Sequence, residues 1–195
     1  MRWFIAALSL ITCLMPWRAG FGQEISPDAL AEALTQRTPG ATLERLKDNP
    51  TAFVQEAAGL ILGYGSDGAL TADQIETAIA AELARLRARE LRRLLEADLD
   101  NDLNVTRTER DAQIAAASAT MRGRLLIWHR AADTDRNGTV SWSEIRAHAS
   151  ARSEAGLSER ARTGMRAMMV FDLDADGQVT LDEVLEAVDA LGGAA

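Results

Sequence analysis

The sequence is poor in the residues that build disulfide frameworks and zinc sites. Its 195 residues include one cysteine, two histidines and one tyrosine, and aromatic residues make up 5%. A single cysteine cannot form an internal disulfide bond, so the fold must be held by its core, by metal ions or by both. Two histidines without further ligands make a poor zinc site. The chain also lacks a nucleophile elbow, a phosphate-binding loop, an HExxH motif and paired cysteines, so the sequence predicts no enzymatic activity.

Long apolar runs are also scarce, and the most marked one is N-terminal. It extends from Trp3 to Met15, after Arg2, and is shorter than the roughly 20 residues of a relaxed membrane span. Gly20 and Gly22 fit the small positions that precede a cleavage site. Residues 1–22 are therefore predicted to be a secretory signal peptide, and the protein is predicted to be exported, either periplasmic or secreted.

Two alternatives remain for this N-terminal segment: an uncleaved membrane anchor, and lipidation at Cys13. Cleavage would remove the only cysteine, and the loss of Arg2 and Arg18 would take the net charge from −8 to −10. No later apolar run is long enough to cross a bilayer, so the mature form is predicted not to span a membrane.

Acidic side chains are concentrated in three short stretches, residues 98–109, 133–144 and 172–183. Eleven of the 29 acidic residues stand there at regular positions, and the remaining 18 are balanced by 19 basic residues of the mature chain. A nucleic-acid partner would call for a concentrated basic face, so none is predicted.

The stretch 172–183, DLDADGQVTLDE, places oxygen-bearing residues at alternate positions before a glycine and ends in glutamate. Calcium takes six to eight oxygen ligands, and a loop of twelve residues supplies them from positions 1, 3, 5, 7, 9 and 12. Position 7 offers its backbone carbonyl, and position 9 acts directly or through water. The predicted ligands are Asp172, Asp174, Asp176, Gln178, Thr180 and Glu183.

The stretch 133–144, DTDRNGTVSWSE, repeats this plan, with Asp133, Asp135, Asn137, Thr139, Ser141 and Glu144 at the same positions. The repeated pattern resembles the EF-hand superfamily, in the form of an exported, bacterial-type, calmodulin-like protein with four helix-loop-helix units. The resemblance implies an all-α fold of paired hands, with short strands pairing between loops, and Ca²⁺ as the bound ion.

A third acidic stretch, residues 98–109, carries Asp98, Asp100, Asp102, Asn104, Thr106 and Glu109 at the ligand positions. It has Leu103 where the other loops have glycine. That position needs positive φ, which costs a residue with a Cβ about 1–2 kcal/mol. A register starting at Asp100 would instead put Arg107 where an apolar residue belongs, so the register starting at Asp98 is preferred.

Residues 63–74 have the outline of a fourth loop without most of its ligands. Gly63 and Gly65 occupy positions 1 and 3, and Gln74 replaces the final glutamate. The four stretches begin 35, 35 and 39 residues apart, and each ends in an [ST]-x-x-[EQ] capping box that predicts the start of a helix. The first stretch is interpreted as a degenerate hand without calcium, and the alternative is a glycine-rich turn between unrelated helices.

This repeat predicts the domain organisation. A helical extension over residues 23–49, opened by Ser26 and Pro27, should precede one pair of hands in 50–115 and a second pair in 116–195. The helical stretch 107–132 is expected to break near Gly123.

Calcium binding is the predicted function, as a buffer or as a calcium-stabilised module. The alternative is a calcium-dependent switch that binds a protein or peptide partner through an apolar groove containing Met165, Met168 and Met169.

Overall fold

The structure is a computed structural model and describes residues 26–192. The predicted signal peptide, the membrane anchor and acylation at Cys13 lie outside the described residues. The predicted all-α class is confirmed, with one small two-stranded antiparallel sheet. In chain order the elements are α1 Pro27–Arg37, α2 Gly40–Asp48, α3 Pro50–Tyr64, β1 Ala69–Thr71, α4 Ala72–Leu95, α5 Arg107–Ala116, α6 Ala119–Ala132, α7 Trp142–Gly156, α8 Glu159–Arg166, a 3₁₀ helix Ala167–Phe171, β2 Gln178–Thr180 and α9 Leu181–Ala190.

The N-terminal extension forms helices that pack on the rest of the protein. Ser26 caps α1 by accepting a hydrogen bond from the Ala29 N–H, and Pro27 occupies the first helical position, where its missing N–H has no helical partner to lose. Leu34 in α1 and Leu46 in α2 are completely buried, and α1 contacts α9. The extension is therefore part of the core.

The four predicted capping boxes are all present. In each, a threonine or serine hydroxyl accepts from the backbone N–H three residues on, and the glutamine or glutamate side chain accepts from the cap residue in return. They open α4, α5, α7 and α9, and consist of Thr71 with Gln74, Thr106 with Glu109, Ser141 with Glu144, and Thr180 with Glu183.

The loops pair in a different order from the one expected. Leu70 in β1 lies opposite Val179 in β2, so loop 63–74 pairs with loop 172–183. Val105 and Val140 exchange two backbone hydrogen bonds of 2.9 Å, so loop 98–109 pairs with loop 133–144. We call these the outer pair and the inner pair. The expected pairing of sequence neighbours, within 50–115 and within 116–195, is therefore wrong.

Helix α4 explains this nested order. It runs without interruption for 24 residues, about 36 Å at 1.5 Å per residue, and so carries the second loop away from the first. Helix α7 leaves the inner pair and packs along α4, which returns the chain toward the outer pair. Sequence-adjacent loops are thus separated by a rigid helix, while the first and last loops meet.

Each pair has its own core, and the two cores differ in size. The outer pair shares a cluster of 18 buried residues with α1, α2 and α3, including an edge-to-face contact of Phe53 with Phe171 at 5.5 Å. The inner pair has a cluster of six buried residues, with Trp128 and Trp142 packed against it: Leu94, Ala97, Val105, Ala132, Val140 and Ile145.

The break expected near Gly123 lies earlier. Ala117 is extended, with φ −89° and ψ 158°, and it ends α5, whereas Gly123 lies inside α6. The Arg122 guanidinium donates to the carbonyls of Ala117 at 2.9 Å and Ala115 at 3.1 Å. These bonds satisfy carbonyls that a helix end leaves without partners, which favours a break at this point.

Among the described residues, the helices do not include one with both the length and the apolar character needed to cross a membrane.

Candidate metal centres

In each of the three acidic loops, the carboxylates of positions 1, 3 and 12 converge. One oxygen from each lies within 4.8 Å of the other two. Anionic oxygens this close repel one another unless a cation or a proton is shared among them, and oxygen ligands of this kind suit calcium. The three groups are Asp98, Asp100 and Glu109; Asp133, Asp135 and Glu144; and Asp172, Asp174 and Glu183.

The glutamate at position 12 is held at both ends of its loop. Glu183 Oε1 accepts from the Leu173 N–H at 2.9 Å, and Oε2 accepts from the Thr180 N–H and hydroxyl, both at 2.8 Å. Glu109 and Glu144 make the equivalent bonds in their own loops. The exit helix begins beside this glutamate, so the helix cap and the proposed metal ligand are the same side chain.

These hydrogen bonds keep the glutamates ionised. The Thr106 hydroxyl and backbone lower the pKa of Glu109 to about 2, and the Ser141 backbone N–H is the largest cause of a pKa of about 2 for Glu144. Burial raises the pKa of Glu183, but the hydrogen bonds from Thr180 and Leu173 outweigh it and the net direction is downward. At neutral pH all three are therefore in the form that binds a cation.

Asp133 provides an independent test of whether a cation fits. Its Oδ1 atom is buried and has no hydrogen-bond partner among the described residues. A buried anionic oxygen without a partner is costly, and it belongs to position 1 of the loop, where a metal ligand is expected. The residues of loop 133–144 therefore fit a bound divalent cation.

The other predicted ligands lie outside the convergent groups. At position 5 each side-chain oxygen accepts a 2.7 Å hydrogen bond from the backbone N–H of position 7, which orders the middle of the loop. The pairs are Asp102 with Asn104, Asn137 with Thr139, and Asp176 with Gln178. At position 9, the hydroxyls of Thr106, Ser141 and Thr180 serve as helix caps in this structure.

Comparison with known protein families agrees with this geometry for the last two loops. A family model described as EF hand matches residues 130–147 and 165–188. The match supports the EF-hand superfamily. No curated protein and no solved structure matches the chain. Loops 63–74 and 98–109 lie outside both matched segments, so their interpretation depends on the sequence repeat and on their own backbone geometry.

Loop 98–109 shares its backbone geometry with the two matched loops despite its leucine. Leu103 has φ 67°, compared with 90° for Gly138 and 85° for Gly177 at the same position. Its N–H donates to Asp98 Oδ2 at 3.0 Å, as each glycine N–H does to the aspartate opening its own loop. Leu103 therefore occupies the same place in its loop as Gly138 and Gly177 do in theirs, and the ligand register starting at Asp98 stays a prediction. Leu103 is 41% exposed, so little burial offsets the strain.

We expect Leu103→Gly to tighten calcium binding at this loop by about tenfold, because glycine reaches positive φ without the cost of a Cβ. If the loop leaves positive φ when calcium is removed, no strain is relieved there, and the same change should lower stability because glycine enlarges the unfolded ensemble. Calorimetric titration measures the first effect, and denaturant unfolding with chelator or saturating calcium measures the second. Leu99→Ala, at another exposed leucine of the loop, is the control and should not tighten binding. Weaker binding by Leu103→Gly would show that the loop holds its ion in another conformation.

Loop 63–74 is built on a tight turn instead of a twelve-residue ring. Helix α3 continues through Gly63 and Tyr64, which takes up the first two loop positions. Ser66 and Ala69 then exchange backbone hydrogen bonds of 2.9 and 3.0 Å around Asp67 and Gly68. Both central residues have positive φ, 54° and 81°, as a two-residue type I′ hairpin requires. Loop 63–74 is thus a glycine-containing turn followed by a strand that pairs with loop 172–183, and its interpretation as a degenerate hand stays a prediction.

Gly65 is required by this turn for steric reasons. A Cβ there would lie 2.3 Å from the Ala69 carbonyl oxygen and 2.4 Å from that of Ile61. The Gln74 side chain donates to the Ser66 hydroxyl at 2.9 Å and closes the loop where a metal would otherwise connect its ends.

The inner pair has a link that the sequence pattern does not predict. Asn104, predicted as a ligand through position 7, also accepts a 3.1 Å hydrogen bond from the Trp142 N–H through its side-chain oxygen. It therefore connects loop 98–109 to the first residue of α7. Its position directly before Val105, the residue that pairs with Val140, is the signal that could have indicated such a contact.

Proposed function

We propose that this is an exported protein that binds three calcium ions, one in each acidic loop, as a buffer or as a calcium-stabilised module. The observation that carries this proposal is the threefold convergence of carboxylates at positions 1, 3 and 12. Each loop would complete its oxygen shell with the side chain at position 5 and the backbone carbonyl at position 7. Three bound ions would reduce the charge of a mature chain from −10 to −4, relieving repulsion among crowded carboxylates.

The position of the methionines favours a buffer or module over a switch. Met168 is 3% exposed, and Met165 and Met169 are partly buried against the core cluster of the outer pair. A sensor exposes its methionine-rich groove when calcium opens the helices. In this structure these methionines contribute to the core, where their flexible side chains fill space.

A fluorescent apolar probe distinguishes the two functions. A switch that grips a protein or peptide should expose apolar surface when calcium is added, and the probe signal should rise strongly. A buffer or structural module should bind calcium with little change in the signal.

Calorimetric titration of residues 23–195 with calcium, and separately with magnesium, tests the function itself. The expected result is three calcium ions per chain, with magnesium binding more weakly because it demands near-ideal octahedral geometry and dehydrates reluctantly. The proposal would be contradicted if the chain bound no calcium, or if it bound calcium no more tightly than magnesium.

Export gives a separate prediction. When the full chain is expressed with its N-terminal segment, the protein recovered outside the cytoplasm should begin near Gln23, as intact-mass measurement can show. Gly22→Leu, which places a bulky residue at the expected cleavage position, should retain the leader. Recovery of the original chain with its first 22 residues, or with acyl mass on Cys13, would contradict cleavage.

A further inference from the structure

A cavity of about 390 Å³ lies beside loop 133–144, between the first turns of α5 and the end of α6. Four arginines line it: Arg107, Arg110, Arg130 and Arg136. The acidic lining residue is Asp133, whose carboxylate is already assigned to calcium. The cavity is thus strongly cationic, in a chain whose overall charge is negative.

The pairing of the inner loops assembles these arginines from separate segments. Arg107 and Arg110 stand three residues apart at the start of α5, and so share one helix face. Arg130 lies in the last turn of α6, and Arg136 lies in loop 133–144. The Arg107 guanidinium lies against Gly138, where an added Cβ would be 2.8 Å from Nη2. The cluster therefore depends on the Val105–Val140 bridge and is not visible as a basic run in the sequence.

Few acidic groups balance this charge. Arg110 pairs with Asp111 at 2.7 Å, but none of the ion pairs within residues 26–192 involves Arg107, Arg130 or Arg136. His129 also lines the cavity. Burial and the charge of Arg110 lower its pKa to about 4, so it is neutral at pH 7 and adds no positive charge. Like charges gathered around one cavity repel, and a bound anion would relieve that repulsion.

We propose that this arginine-lined cavity binds a small molecule through a phosphate- or sulfate-type oxyanion. The planar guanidinium donates parallel hydrogen bonds that match the oxygens of such a group, which makes arginine suited to this recognition. The volume falls within the roughly 300–1,000 Å³ of small-molecule sites, so the anionic group can be part of a larger ligand. The cavity borders the carboxylate cluster of loop 133–144 through Asp133, and an oxyanion bound by its arginines would extend the function beyond calcium binding.

Calorimetric titration with sodium sulfate and with inorganic phosphate tests the site. The protein is first saturated with calcium and freed of excess metal, so that calcium salts do not form, and sodium chloride keeps the ionic strength constant. We expect one oxyanion per chain with half-saturation at or below about 1 mM. If sulfate and phosphate give no more heat than chloride does, and the heat does not saturate as they are added, the proposal is overturned.

A pair of charge-matched double variants shows whether the arginines of the cavity are responsible. Arg130→Gln with Arg136→Gln should weaken oxyanion binding by about tenfold or more, because hydrogen bonds to charged groups are lost. Arg85→Gln with Arg87→Gln removes the same charge from an exposed part of α4 and should leave the affinity unchanged. If both double variants lose the same oxyanion affinity, the arginines of the cavity are not responsible and the proposed site is wrong. Calcium stoichiometry, measured on the same samples, reports on the proposed calcium function separately.

Vesicles distinguish a lipid headgroup from a soluble ligand, which share this chemistry. Co-sedimentation with phosphatidate-containing vesicles that requires Arg130 and Arg136, and that inorganic phosphate displaces, would assign the cavity to a headgroup. Binding of free phosphate without vesicle association would assign it to a soluble ligand. Vesicle association that the Arg130→Gln, Arg136→Gln variant retains in full would contradict a headgroup in this cavity.

Discussion

Glu183→Gln and Glu144→Gln should each reduce the number of bound calcium ions from three to two. Both oxygens of each glutamate accept hydrogen bonds that fix the side chain across its loop. A glutamine keeps one accepting oxygen but turns the other into an N–H donor, which would face the N–H of Thr180 or of Ser141. The loss of a negative ligand and of a charged hydrogen bond should weaken the altered site by about 100-fold or more.

Calorimetric titration measures this loss directly, with Glu186→Gln as the control. Glu186 is exposed, lies one turn beyond Glu183 in α9, and makes none of the loop contacts, so its replacement removes the same charge outside the loop. It should keep three ions. An unchanged stoichiometry in Glu183→Gln or Glu144→Gln would show that the ligand assignment is incorrect.

The contacts within each acidic loop could be predicted because they depend on residues close together in the sequence. The capping boxes span four residues, and the aspartate at position 1 meets the backbone N–H of position 6 five residues later. Spacing alone therefore indicates which side chains meet. Positive φ at Leu103 follows in the same way, from its place in the register.

The pairing of the loops depends on long-range packing and could not be predicted in this way. Leu70, Val105, Val140 and Val179 are all apolar residues suited to a short strand, so any two could pair by their local properties. The choice is made by the uninterrupted α4 and by α7 packing along it. The arginine-lined cavity is a consequence of that choice, which explains why no linear pattern indicated it.

Loop 63–74 contains a local turn sequence that the twelve-residue calcium-loop pattern does not take into account. Asp67-Gly68 is a common sequence for a two-residue type I′ hairpin turn. In the register of the twelve-residue calcium loops, the same Asp67 falls at position 5 of a degenerate loop. In the structure Leu70 still pairs with Val179, as expected for a strand residue of a paired loop, but the loop before it is shorter because α3 continues to Tyr64.

Removal of calcium should unfold the inner pair before the outer pair. The inner pair has six buried core residues and the outer pair has 18, while two of the three carboxylate clusters belong to the inner pair. Each saturated site adds about 2.7 kcal/mol at a calcium concentration 100 times its Kd, so two sites add about 5 kcal/mol. Chelation should therefore lower the melting temperature of the inner pair by at least about 10 °C.

Tryptophan fluorescence can follow the inner pair separately. Trp128 and Trp142 pack against its core, and the remaining two tryptophans, Trp3 and Trp17, belong to the predicted leader. Circular dichroism of the mature chain reports on helices of both pairs. With chelator, the fluorescence transition should occur at a lower temperature than the main circular dichroism transition, whereas saturating calcium should bring the two together.

Two site variants provide the control for this assignment. In saturating calcium, Glu144→Gln should lower the temperature of the tryptophan fluorescence transition, because its loop belongs to the inner pair. Glu183→Gln should affect it much less, because loop 172–183 belongs to the outer pair. If fluorescence and circular dichroism change together in chelator, the contact of α4 with α7 couples both pairs into one cooperative unit. Calcium would then stabilise the whole chain, and the inner pair would not unfold at a lower temperature than the outer pair.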